Sequence, residues 1–257
     1  MGRPRGRSLG LSRGRRLVID YLHFCHAPST VAVERRVNLA ELAAARAQAV
    51  PKPGWLSVLL KGYGLAARAA PEFRRSLLTF PFTRIHEHDE PTALVTVERE
   101  LDGEPAVFTY PLKHPDRKSI PDINAELNWL RAAPLGEVKP FRKAVWLLGY
   151  PRPVRRALMW LALKVRGSWR ERYAGTFAVS SVVPAGGDLT FAQAPHTLFF
   201  APARIEPNGD TTLRVFFDHR VTDGAPAARA LAAVEHALCG PVLSELRALA
   251  PGLKAAG

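Results

Sequence analysis

Between Thr211 and Gly240 the hydrophobic period of the chain changes, and this constrains its fold more than any other feature. Leu213, Val215 and Phe217 alternate with Thr212, Arg214 and Phe216, the period of two that marks a strand. From Ala225 to Leu238, apolar residues at Ala228, Leu231, Val234, Ala237 and Leu238 recur at three- and four-residue intervals. That is a helical period, and Gly240-Pro241 is expected to stop the helix. The handover is Asp218-His219-Arg220-Val221-Thr222-Asp223-Gly224. A strand that passes directly into a helix requires an α/β architecture and aims whatever stands at the junction. Here that is a histidine four residues ahead of an Asp-Gly pair: an imidazole able to take a proton from a thiol or hydroxyl, and a carboxylate to fix the loop. The same spacing also occurs in ordinary turns, so its meaning depends on the rest of the chain.

Upstream, strands and helices alternate. Val31–Val37 and Leu39–Ala49 read as a strand entering an alanine-rich helix, broken by Pro51-Lys52-Pro53-Gly54, and Leu56–Ala70 reads as a second helix. Ala93–Glu100 and Ala106–Leu112 flank a turn containing Asp102-Gly103 and predict a hairpin. Lys113-His114-Pro115-Asp116 is a connecting loop, Ile120–Ala132 a helix, and Thr176–Val183 and Leu198–Ile205 two later strands. The order predicts an α/β fold with a mixed sheet covered by helices.

The chain has 257 residues, 47% of them hydrophobic and 23% charged, enough for one large core. It has no internal repeat and no linker long enough to divide it. Its two cysteines, Cys25 and Cys239, are too few for a disulfide framework and lack metal-ligand spacing, so both are expected to pack, a reducing compartment is expected, and no metal is. Cys25 sits in His23-Phe24-Cys25-His26, where packing outweighs Cys-His chemistry. The net charge of +13 raises nucleic-acid binding. Part of the excess, however, lies in the Gly-, Pro- and Ser-rich residues 1–14, read as a basic flexible arm ahead of a single domain at 15–257. That arm lacks the apolar stretch of a secretory signal, and Gly6 breaks the myristoylation pattern; its arginines leave a transit peptide open. The expected location is cytoplasmic.

Three segments, in order, carry a family resemblance. FFDHRVTDGAPAARALAAVEHAL resembles the C-terminal signature of the dihydrolipoyl acyltransferases of 2-oxo acid dehydrogenase complexes, a superfamily shared with chloramphenicol acetyltransferase. Gly175-Thr176-Phe177-Ala178-Val179-Ser180-Ser181 resembles the family's Gly-Thr-Phe-x-Ile-Ser-Asn segment, and LLKGYGLAARAAPEFR resembles a chloramphenicol acetyltransferase helix ending in Pro-Glu-Phe-Arg. The resemblance runs from about Arg15 to Gly240. It implies a chloramphenicol acetyltransferase-like two-layer sandwich and a homotrimer with sites between subunits. It also implies acyl transfer between a thioester, acyl-coenzyme A or acyl-lipoyl, and a thiol or hydroxyl. In that reading His219 is the general base, Ser180 stabilises the oxyanion, and Asp223 holds the loop by pairing with an N-terminal arginine, Arg15, with Arg16 as competitor.

The chain departs from the family in three ways. It has room for neither a lipoyl domain nor a subunit-binding domain, so a lipoyl group is expected only from a separate protein. Asp218 replaces the first histidine of the His-His-x-x-x-Asp-Gly pattern of peptide-condensation domains and wax ester synthases, which leans toward thioester chemistry. An insert at about 138–172 is basic and amphipathic: Val154, Ala157, Leu158, Leu161 and Val165 form one stripe, with Arg152, Arg155, Arg156 and Arg166 on another arc. It is too short and too charged to span a bilayer. Packing against core or oligomer is the first reading and contact with an anionic membrane surface the second. A noncatalytic trimeric scaffold, or a membrane- or nucleic-acid-binding protein on the same fold, are the alternatives to an enzyme. The scaffold has no need for Ser180, His219 and Asp223 together, and a binding protein leaves the three segments unexplained.

Overall fold

This computed structural model describes residues 12–24 and 30–251. In chain order the elements are α1 (Arg13–Leu22), β1 (Thr30–Asn38), α2 (Ala40–Gln48), α3 (Trp55–Ala69), a 3-10 turn at Pro71–Arg74, β2 (Arg75–Leu78), β3 (Arg84–Glu87), β4 (Thr92–Leu101) and β5 (Glu104–Lys113). Then follow α4 (Ile120–Ala132), α5 (Lys139–Leu147), α6 (Arg152–Lys164), α7 (Gly167–Ala174), β6 (Phe177–Val179), β7 (Leu198–Phe200), β8 (Asp210–Asp218), α8 (Gly224–Ala237), a π turn at Leu238–Val242 and α9 (Leu243–Ala248).

Six strands form one mixed sheet in the order β1-β8-β7-β6-β4-β5, with β6 parallel to both β4 and β7 and the other pairs antiparallel; β2 and β3 form a separate hairpin. Alternate residues of the sheet, including Ala93, Val95, Val97, Leu213, Val215 and Phe217, share a buried core with α3, α4 and α8. Each of the valines, leucines and phenylalanines so removed from water contributes about 1.5–3 kcal/mol. The opposite face is met by the 181–197 segment, where Phe191 packs on Phe216 and the Leu189 carbonyl accepts from Arg214. The chain therefore has the expected α/β two-layer form.

The helices begin and end where local chemistry dictates. Ser119 caps α4 by accepting from the Asp122 N–H at 3.2 Å, and Pro121 occupies its first turn. Asp102 and Gly103, both at positive φ, make the β4–β5 turn. Five expectations need correction. Ser12 caps a helix, so Arg13 and Gly14 belong to α1 and not to an arm; residues 1–11 of that arm, and Cys25, lie outside the described residues. Gly240-Pro241 does not stop α8: the missing proline N–H is absorbed in the π turn and the chain continues into α9. Cys239 is exposed and does not pack. β6 and β7 are shorter than predicted, although Ala201 and Ala203 still donate to the Arg214 and Thr212 carbonyls.

The fifth correction concerns the insert, which folds as α5, α6 and α7 with two of its basic side chains turned inward and part of its apolar stripe turned out. Arg155 and Arg156 of α6 face inward and donate to the buried Asp20 of α1 at 2.7 and 3.2 Å, and Arg152, itself exposed, lies 3.5 Å from it. Arg155 is itself buried, while Val154, Ala157 and Leu161 of the apolar stripe are exposed. A buried carboxylate needs its counter-charges more than a short apolar stripe needs cover, so the charges go in.

Candidate active site

His219 stands immediately beyond β8, a strand held on both sides by β1 and β7, so its backbone is anchored. The Asp218 carboxylate accepts from the Arg220 backbone N–H at 3.0 Å and from its guanidinium at 2.9 and 2.6 Å. The Asp218 carbonyl accepts from Val221 and Thr222. These bonds close the turn and leave the imidazole outside it. Asp223 occupies the N-cap of α8 but makes no capping bond with its side chain. Its Oδ1 instead lies 3.2 Å from His219 Nδ1. A carboxylate at that nitrogen favours the proton on Nδ1 and leaves the Nε2 lone pair free, the arrangement of a general base. Within one chain both side chains are largely exposed, 54% and 75%.

Ser180 follows β6. Gly175 precedes that strand at φ +70°, and a Cβ there would stand 2.7 Å from the Thr92 carbonyl oxygen, so the close approach of the two strands requires glycine. Buried Thr176 accepts from the Thr92 N–H at 3.1 Å and donates to its carbonyl at 3.3 Å. The Gly-Thr pair thereby locks β6 against β4. Ser180 donates its N–H to the Phe200 carbonyl, and its Oγ accepts from Thr96 Oγ1 at 2.7 Å. The two hydroxyls share one hydrogen bond, and when Thr96 is its donor the serine proton can be donated elsewhere.

Ser180 and His219 are well separated on the sheet, His219 beyond the end of β8 and Ser180 level with the middle of that strand. Val179 pairs with Phe200 and Phe200 with Val215, which places Ser180 level with Arg214, five residues before His219 and two strands away. At about 3.3 Å per residue and about 4.8 Å between strands, the separation is on the order of 15–20 Å. Arg15 lies on the far side of Ser180 from His219: its neighbour Gly14 packs on Ala106, and a Cβ at Gly14 would be 2.6 Å from that of Ala106. Ala106 pairs with Arg99, beyond the level of Ser180. Within one chain Arg15 therefore does not pair with Asp223, whose carboxylate faces His219.

Two residues at the site escaped the sequence reading. Thr96 is one, and only the parallel β4–β6 register, Val95 beside Val179, puts it next to Ser180. Arg170 is the other. It is 1% exposed, donates to the carbonyls of Leu163 (2.9 Å) and Pro195, and feels the charges of Asp218 and Arg220. Burial lowers its pKa to about 10, so it remains a cation beneath the histidine turn at neutral pH. A run of arginines in the insert carries no signal that one of them is buried.

The fold is that of known acyltransferases. The dihydrolipoamide acetyltransferase of Azotobacter vinelandii superposes with a TM-score of 0.62 at 18% identity, covering 95% of this chain and 94% of that one. The cubic core of a pyruvate dehydrogenase multienzyme complex gives 0.59 at 19% identity over 95% and 94%. Chloramphenicol acetyltransferase gives 0.51 at 15% over 89% and 96%. No family profile and no curated protein sequence matches the chain.

Proposed function

We propose that this chain, built on the fold of dihydrolipoamide acetyltransferases and chloramphenicol acetyltransferase, is an acyltransferase whose active site forms between neighbouring subunits of a trimer. The observation that carries the reading is the split of the site. The end of β8 presents a histidine with the Asp223 carboxylate 3.2 Å from its Nδ1, and the end of β6, on the order of 15–20 Å away, presents the Ser180 hydroxyl beside Thr96. Neither half can carry out the reaction alone. A neighbour related by three-fold rotation brings the histidine of one subunit to the serine of the next, and the cubic core that a similar structure forms supports a symmetric assembly of this fold. Arg15 lies on the far side of Ser180 from His219, so a pairing of Arg15 with Asp223 also belongs between subunits.

In the reaction, the acceptor thiol or hydroxyl gives its proton to His219 Nε2 as its sulfur or oxygen bonds to the thioester carbonyl carbon. The carbonyl electrons move to oxygen, which accepts a hydrogen bond from Ser180 of the neighbour. The oxyanion then collapses, the carbon–sulfur bond to the donor thiol breaks, and His219 returns its proton to that thiol. A positioned base is worth about 10²–10⁴ in rate and one oxyanion donor about 10²–10³. The donor is an acyl-coenzyme A or an acyl-lipoyl group. The test is to incubate the chain with a panel of acyl-coenzyme A thioesters and thiol or hydroxyl acceptors and to follow acyl transfer by mass spectrometry. Transfer by the parent but not by His219→Ala is expected; equal transfer by both would refute the assignment.

A further inference from the structure

The inward turn of Arg155 and Arg156 leaves an apolar strip on the surface with no cover. Val154, Ala157 and Leu161 lie along the outer side of α6 at helical spacing. The tip of the β2–β3 hairpin is anchored at the helix's C-terminal end, where Thr79 and Phe80 donate to the Lys164 carbonyl, Arg84 donates to that of Val165, and the Phe80 ring meets Trp160 at 5.3 Å. The tip itself reads Phe80-Pro81-Phe82, with Phe82 66% exposed. The strip thus ends in a protruding hairpin that carries phenylalanine into solvent.

The segment that carries the strip is basic. Residues 139–174 hold ten lysines and arginines and a single acid, Glu171. That acid is already committed: it faces His88 and Thr92, and the hydrogen bond to His88 holds its carboxyl below the usual range. Three of the cations gather on Asp20, which offsets one of their charges, and Lys139, Arg142, Arg166 and Arg172 are exposed. Arg166 and Lys143 lie over the rings of Trp169 and Tyr173, both of which are themselves exposed.

We infer that this face docks on an anionic lipid surface, with Phe82 and the α6 strip entering the interface and the surrounding cations meeting headgroups. Charge decides between the occupants. A second copy laid on this face by two-fold symmetry would set cations against cations, and the chain as a whole carries +13. A bilayer rich in anionic headgroups supplies the opposite charge over the whole face, about 1 kcal/mol per nearby cation, together with an apolar layer for aromatic side chains. No helix among the described residues is long and apolar enough to cross a membrane, so the contact is peripheral. Arg155 and Arg156 take no part, because Asp20 holds them.

The test is sedimentation of the full chain with vesicles of phosphatidylcholine alone and of phosphatidylcholine mixed with phosphatidylglycerol, across a salt series, with the solution mass followed in parallel by sedimentation velocity. Binding to the anionic vesicles only, weakening with salt, is expected. Phe82→Ser combined with Leu161→Ser, both exposed positions, should lower that affinity about tenfold or more with mass and circular dichroism unchanged. No binding by the parent overturns the inference. So does a double variant that binds as the parent does while Arg166→Glu alone loses binding, which would leave charge attraction without a docked apolar face. A double variant of altered mass would make the strip a subunit contact and overturn it equally.

Discussion

His219, Asp223 and Ser180 divide the proposed chemistry between a base, its orienting carboxylate and an oxyanion donor. His219→Ala should reduce turnover by about 10²–10⁴ with the assembly intact, because the exposed imidazole supplies no core volume. Ser180→Ala should lower kcat by about 10²–10³ with KM nearly unchanged, since its bond strengthens only as the oxyanion forms; a pure rise in KM would contradict that role. Thr96→Val removes the donor that orients the serine hydroxyl and should cost a smaller factor, about fivefold to tenfold. Thr96→Ser should restore most of the loss, which a purely structural role for the methyl group would not allow. The first three residues were legible in the sequence because each sits in a compact local motif. Thr96 was not, because its neighbour lies 84 positions away and the contact depends on a parallel register that no local pattern encodes. Arg170 was hidden for a related reason: periodicity does not distinguish a buried arginine from its exposed neighbours.

At the scale of elements, α1 and α6 are joined by Asp20, a buried carboxylate met by three arginines. Asp20→Ala would strand the buried Arg155 guanidinium without its counter-ion, which costs about 3–5 kcal/mol. The urea midpoint should fall accordingly, and Arg152→Ala, on the exposed side of the cluster, should barely move it. Equal effects of the two substitutions would show that the cluster is not buried in solution. The same pair explains why the insert was misread. A helical stripe identifies two faces but not which one turns inward, and that choice was made by Asp20, more than 130 positions upstream. Strands and helices elsewhere were legible because their core faces are unbroken. Gly240-Pro241 was misleading because a π turn absorbs a proline that an α-helix could not.

For the whole molecule, acid should unfold the chain in part through His196. The ring is buried, its Nε2 donates to the Ala174 carbonyl at 2.6 Å, and its Nδ1 has no hydrogen-bond partner. Burial first, then the charge of Arg170, push its pKa down to about 3. The unfolded chain therefore takes up a proton on this histidine near the ordinary value of about 6.5 while the native state does not, and stability falls with pH from about 6.5 toward about 3, by about 1.4 kcal/mol per pH unit. His196→Gln should flatten that slope in urea titrations, and an unchanged slope would refute the assignment. The central claim, that one active site is shared by two subunits, is tested most directly by mixing His219→Ala with Ser180→Ala protein under conditions of proven subunit exchange. In a trimer whose histidine and serine come from adjacent subunits, about one interface in four of a random equal mixture regains both residues. The account predicts activity rising from the background of either variant to about a quarter of the parent. Activity that stays at background despite exchange would contradict it and place the site within a single chain.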